Sequence, residues 1–110
     1  MADLYQQIVE QMHILDEAIK SLAKNGERLA EAEKAYKMEL TKQALGLRAG
    51  DYPVTLINQI IYGLDEVAEL RFKRDSAKAN YEANQEFINV TKLKLRLLEA
   101  QLGREWGKSE

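Results

Sequence analysis

Glu10-Gln11-Met12-His13, in a chain of 110 residues, has the Glu-x-x-His spacing of metal-ligand residue types. Positions three apart on a helix face the same way, so a Glu-x-x-His pair can share one metal ion. Carboxylate-bridged di-metal bundles use two such pairs and two further carboxylates. His13 is the only histidine and cysteine is absent, so a complete site would need a second copy of the chain. Met12 takes the apolar stripe and turns His13 to a flank. His13 therefore reads as a surface or interface-edge histidine, and neither a metal nor a cofactor is expected. The lack of cysteine also removes thiolate catalysis and disulfides. Ser21, Ser76 and Ser109 have no plausible histidine near them, and no glycine-rich loop stands between a strand and a helix. The expectation is a protein without catalytic residues.

Cations are the other residue type that could do chemistry. Arg71, Lys73, Arg74 and Lys78 form the densest basic group, and a cluster of this kind can bind a nucleic-acid backbone by releasing its counterions. Glu69, Asp75 and Glu39 are interleaved with it, and the net charge of the chain is −2. Solvated helix faces are the simpler reading of such a pattern. Nucleic acid is carried forward as an alternative partner through those four side chains.

The elements that position these residues are helical. One proline, 45% hydrophobic and 31% charged residues suit a folded all-α chain. Asp3 is a candidate N-cap. After it, steps of alternating three and four from Tyr5 pass through Ile8, Met12, Leu15, Ile19, Leu22, Gly26, Leu29, Glu33, Tyr36, Leu40, Gln43 and Leu47, the seam of a coiled coil. Asn25-Gly26 resembles a turn, but the heptad phase passes through it unbroken. One helix over about residues 3–48 is therefore expected, with a break at Gly26 as the alternative. Arg48-Ala49-Gly50 offers a cation and a glycine cap, and Tyr52-Pro53 stops the helix. Val54, Leu56, Ile57, Ile60 and Ile61 are too dense for an exposed loop, so a short helix over about 54–62 is expected in a tip spanning 49–63. Asp65 and Glu66 then suit the first turn of a second long helix, over about 64–106. Its seam runs through Val67, Leu70, Arg74, Ala77, Tyr81, Asn84, Ile88, Thr91, Leu95, Leu98 and Leu102.

Arms of nearly equal length predict an antiparallel helical hairpin, coiled-coil-like, as a single domain over residues 1–110. Arg74 on the seam must reach Glu39 or Glu33 or extend to the surface, while Asn84 and Thr91 could fix register. A second set of apolar residues widens the stripes near the chain termini, and a helix apolar on more than one flank needs more than one neighbour. This places an oligomer interface on Leu4, Ile8, Val9, Met12, Leu15, Phe87, Val90, Leu93 and Leu97, with a dimeric helical bundle favoured. At the tip, Tyr52, Ile57, Ile61 and Tyr62 form a candidate docking surface, with packing against the arms as the simpler alternative. No apolar run approaches the roughly 20 residues of a membrane span and no leader pattern opens the chain, so a cytoplasmic protein without membrane contact is expected.

Three stretches carry a family resemblance: Ala30-Glu31-Ala32-Glu33-Lys34-Ala35-Tyr36-Lys37, then Gly63 through Asp75, then Ile88-Asn89-Val90 through Trp106. With them the chain resembles a small family of uncharacterised helical phage and prophage proteins of Gram-positive bacteria. The resemblance implies the host bacterial cytoplasm and a setting among early phage genes for replication and recombination. It brings no catalytic or binding residue with it. Three roles follow as expectations: an accessory protein of phage DNA replication or recombination acting through contacts with a phage or host protein, a nucleic-acid-binding accessory protein, and a phage inhibitor of a host enzyme or defence system.

Overall fold

The structure, a computed structural model, describes residues 3–108 and the side chains of residues 3–107. Its elements are α1 (Leu4–Ala49), α2 (Val54–Ile60), a single 3-10 turn (Ile61–Gly63) and α3 (Asp65–Lys108). Among the described residues there is no strand. No described helix is long and apolar enough to cross a membrane.

Local chemistry accounts for most of the helix ends. Asp3 caps α1: its Oδ1 accepts from the backbone N–H of Gln6 at 2.8 Å, filling one of the free amide donors of the first turn. α1 runs unbroken through Asn25-Gly26, and no glycine of the chain takes a positive φ. Gly26 serves close approach instead. A Cβ placed on it would stand 3.4 Å from Cε2 of the Tyr81 ring, so its small size lets that ring lie against the α1 backbone.

The C-terminus of α1 departs from the expected glycine cap. Tyr52 N–H donates to the Leu47 carbonyl at 3.1 Å and Asp51 N–H donates to the Arg48 carbonyl at 3.0 Å, the paired bonds of a Schellman motif. The residue in the left-handed region is Asp51, at φ 64°, and not Gly50. Aspartate tolerates that region better than most side chains because its short polar group bonds locally. Gly50 gives room to a ring here as well: Tyr52 lies 3.4 Å from where a Gly50 Cβ would stand.

Pro53 opens α2 with an extended ψ of 146°, and its carbonyl accepts from Ile57 N–H at 3.0 Å. The helix is shorter than the sequence pattern suggests. It gives way to the 3-10 turn at Ile61, which closes at Gly63 before Leu64 turns extended. Asp65 and Glu66 sit in the first turn of α3, where their charges complement the helix dipole. At the other end α3 continues through Gly103 and Gly107 to Lys108.

The chain divides into two compact units. Unit 2 spans Asn25–Tyr81. In it the segments of α1 and α3 run antiparallel: Gly26 meets Tyr81, and further along Tyr36 meets Arg74. Tyr36, Ile57, Ile61 and Val67 form its buried core. Unit 1 joins the α1 segment up to Lys24 with the α3 segment from Glu82. Ala18, Ile88, Thr91 and Leu95 are its buried residues.

Every α3 position on the expected seam is buried or half-buried, from Val67 to Leu102. On α1 the same holds from Leu22 to Leu47. Before Leu22 the inward face is different: Leu4, Gln7, Ile8, Gln11, Leu15 and Ala18 turn inward while Tyr5, Met12 and Ile19 are exposed. A straight helix drifts by about 20° per heptad against a strict seven-residue repeat. Over two to three heptads that drift moves the contact from the Tyr5-Met12-Ile19 edge to the Leu4-Gln11-Ala18 edge.

Candidate functional site

In unit 1 the polar seam residues are used internally. Thr91 is 2% exposed, and its hydroxyl donates to the Phe87 carbonyl one turn back at 2.8 Å. That bond supplies a buried hydroxyl with a partner from its own helix. Asn84 Nδ2 donates to the Ala18 carbonyl at 3.0 Å. This bond crosses from α3 to α1 and ties the two segments in one register. No buried side-chain nitrogen or oxygen among the described residues lacks a partner.

Apolar chemistry is what unit 1 presents outward. On α1, Tyr5 is 67% and Met12 53% exposed, and Ile14 and Ile19 join them. On α3, Phe87, Val90 and Leu93 are exposed together with Leu97 at 61%. Of the residues expected at an oligomer interface, Met12, Phe87, Val90, Leu93 and Leu97 stand on the surface, while Leu4, Ile8, Val9 and Leu15 are half-buried on or beside the inner stripe. His13 and Glu10 are exposed on the outside of α1. Among the described residues no three of His, Cys, Asp or Glu are grouped to hold a metal ion.

In unit 2 the four cations of the basic group have different surroundings. The Arg74 guanidinium donates from Nε and Nη2 to Asp75 Oδ1 at 3.0 and 2.8 Å, and its central carbon stands 4.6 Å from the centroid of the Tyr36 ring. Neither Glu33 nor Glu39 is its hydrogen-bonding partner; of the two expected outcomes, reaching one of these acids or extending to the surface, the part-exposed side chain on Asp75 is nearer the second. Glu39 accepts instead from Gln43 Nε2 at 2.8 Å. The neighbouring carboxylate wins because two donors of one planar fork can reach a single oxygen. This bond to Asp75, opposed by partial desolvation, raises the Arg74 pKa above its ordinary value, so the side chain stays charged at any pH the fold meets. Arg71 lies 5.4 Å from the Tyr62 ring centroid. Positions 71, 74 and 78 are three and four apart and share a flank of α3.

Lys73 belongs to another flank. With Asn25, Arg28, Phe72, Ser76, Ala77 and Asn80 it lines a shallow groove of about 240 Å³. Arg28 also reaches Asn25 Oδ1 at 3.4 Å, while the Phe72 ring is exposed.

The tip docking surface is corrected by burial. Ile57 and Ile61 are in the core of unit 2, and only Tyr52 and Tyr62 of that set are presented, beside Val54 and Leu56. A short helix must bury one face to be stable, and Ile57 of α2 with Ile61, one turn on in the 3-10 turn, forms that face. A further outward patch escaped the sequence reading. Met38, Thr41 and Leu45, with Lys37 and Lys42 beside them, line an open depression on α1, and Leu45 is 65% exposed. Its signal was present as apolar residues seven apart, off the Tyr36-Leu40-Leu47 seam.

The chain matches no protein-family model, and no curated protein or solved structure is significantly similar to it.

Proposed function

We propose that this chain is a non-enzymatic helical interaction and assembly protein that works through protein contacts in the host bacterial cytoplasm. The observation carrying this reading is the distribution of large apolar side chains. Heptad-spaced residues such as Tyr5, Met12, Val90 and Leu97 face outward, while the largest fully buried side chains among the described residues are no bigger than Val67 and Thr91. Exposed apolar stripes of this kind on a helix are positions where another helix packs. The resemblance to phage and prophage proteins extends the reading to an accessory role in phage DNA replication or recombination, through a phage or host protein.

Light scattering across a concentration series tests the assembly half, with a concentration-dependent rise in mass expected. A strictly monomeric chain at all concentrations would count decisively against it. For the partner, affinity capture from infected cells is run with the native chain beside Met38→Asp/Leu45→Asp. Loss of one specific phage or host protein with the variant supports the reading, and identical captures assign the Met38-Leu45 patch no role. Inhibition of a host enzyme or defence system uses the same surfaces, and the identity of the captured protein separates it from a replication role.

One observation favours nucleic acid as a second reading: Arg28 and Lys73 line the same groove as the exposed Phe72 ring. Cations with a stacking ring form a single-strand contact. Binding to single-stranded DNA that weakens with salt and falls with Phe72→Ala supports it, and salt-insensitive or absent binding removes it.

A further inference from the structure

The two basic flanks of α3 in unit 2 differ in what holds their cations. On one, Arg74 is neutralised by Asp75 at 2.8 Å and lies over the Tyr36 ring, while Arg71 stands against Tyr62. On the other, Lys73 shares a groove with Arg28 of α1. Neither of these two forms an ion pair with a described residue. Arg28 Nη1 donates to Asn25 Oδ1 at 3.4 Å, but that acceptor is neutral and leaves the guanidinium charge whole. The acids closest in sequence, Glu27, Glu31 and Glu69, are not among the residues that line the groove.

The groove offers a flat apolar face beside its charge. The Phe72 ring is 66% exposed, and an exposed ring gains by having a flat group laid on it. Ala77 lines the groove half-buried, and its small side chain leaves depth that a larger one would fill. Ser76 and Asn80, one turn apart on α3, bring a hydroxyl and an amide to the same wall, groups that both donate and accept. At about 240 Å³ the space is smaller than the roughly 300–1,000 Å³ of a site enclosing a drug-sized ligand. It takes one ring with its charged group and leaves the remainder in water.

We propose that this groove binds a nucleoside phosphate unit: the base lies on the Phe72 ring, Arg28 and Lys73 take the phosphate, and the Asn80 amide bonds the edge of the base. A bare phosphate has no use for the ring, and an apolar side chain leaves both cations uncovered. An acidic peptide meets the cations but brings no flat face with a polar edge. A free nucleotide and one residue of a single strand offer the same chemistry, whereas a duplex keeps its base faces in the stack and does not fit. For the strand, the proposal rests on the nucleic-acid reading above and narrows it to one stacked base and one phosphate contact per chain. The walls come from both α1 and α3, so the site exists only when unit 2 is folded.

The test is a titration of the isotope-labelled full chain, followed by amide chemical shifts, with AMP, adenosine, inorganic phosphate, triglutamate and triadenylate. AMP should shift residues 25–28 and 72–80, and adenosine or phosphate alone should bind more weakly by roughly fivefold or more. Phe72→Leu should weaken AMP about tenfold and leave phosphate unchanged. Arg28→Gln/Lys73→Gln should weaken AMP and phosphate and leave adenosine unchanged. All three side chains are exposed, and circular dichroism confirms that the variants keep their helicity. Triadenylate binding tighter than AMP, with a log–log salt slope of about −0.7 for one phosphate contact, assigns the groove to a strand, and equal affinity assigns it to a free nucleotide. Phosphate or triglutamate binding as well as AMP overturns the site, because charge alone then suffices. Triadenylate shifts that fall on Arg71, Arg74 and Lys78 with a steeper salt slope overturn the groove and keep the nucleic-acid reading. No shift with any probe overturns both.

Discussion

Units 1 and 2 are built from the same two helices and differ in what closes them. In unit 2 a third element supplies Ile57 and Ile61, and these join Tyr36 and Val67 in a core of large side chains. Unit 1 has two helical segments and no third, and its buried positions include the small Ala18 and the polar Thr91. Two helices in contact can each hide one stripe. A third element allows larger side chains to be enclosed, and where it is missing the remaining apolar residues stay on the surface. The difference teaches that a third element lets unit 2 enclose larger side chains than unit 1 does, while both units keep large apolar residues, such as Leu45 and Leu97, on the surface.

Substitution of the best-buried side chain should break this contrast most sharply. Val67 is 0% exposed, and Val67→Asp places an unpartnered carboxyl there, at a cost of about 3 kcal/mol or more. Leu97→Asp, on the outer face of unit 1, should change the stability of the isolated chain by no more than about 0.5 kcal/mol. Urea unfolding at low protein concentration measures both, and equal losses would erase the distinction between the units. Next in size, Asn84→Ala removes the bond to the Ala18 carbonyl, with an expected loss of about 1 kcal/mol. Asn84→Leu should instead raise the melting temperature while broadening the NMR resonances of unit 1, because the polar contact that selects one register is gone.

Gains of similar or smaller size are expected where local strain is relieved. Asp51→Gly removes the cost of a left-handed residue at the end of α1 and a carboxylate at the negative end of the helix dipole, for a gain of about 1 kcal/mol. Gly46→Ala in unit 2 and Gly103→Ala in unit 1 meet no atom within 4 Å. Each should add up to about 1 kcal/mol of helix preference. Thermal melts compare them, and a smaller gain at Gly103 would show that the end of α3 contributes less to the folded state than the middle of α1.

Where sequence reasoning succeeded, the information was local. Asp3 announces a cap through a side chain that reaches its own first turn, Tyr52-Pro53 stops a helix through sterics, and the α3 heptads carry through polar interruptions because Asn84 and Thr91 find backbone acceptors. Where it failed, two residues competed on nearly equal terms. Met12 and Gln11 are consecutive and stand about 100° apart around the helix, on either side of the expected contact; composition favours the methionine inside, yet Gln11 and Ala18 are the ones that turn inward. Likewise Arg74 had Glu33 and Glu39 on the other long helix as candidate partners, with extension to the surface as the alternative, and the adjacent Asp75 prevailed. The tip isoleucines were correctly read as apolar, but whether they pack or dock depends on what lies beneath them.

Helical character and the stopping points at Asp3 and Tyr52-Pro53 follow from residue chemistry within a turn or two, and so they are legible without coordinates, whereas the change from α2 to a 3-10 turn at Ile61 is not. Tertiary packing decided the rest: which edge of α1 turns inward before Leu22, that Asp51 and not Gly50 takes the left-handed conformation, that Ile57 and Ile61 are core, and that a second apolar seam is left outward on both segments of unit 1. The reason is geometric. A heptad pattern states that a stripe will be buried, while the neighbour it is buried against is set by helix drift and by side-chain size at contacts far apart in the chain.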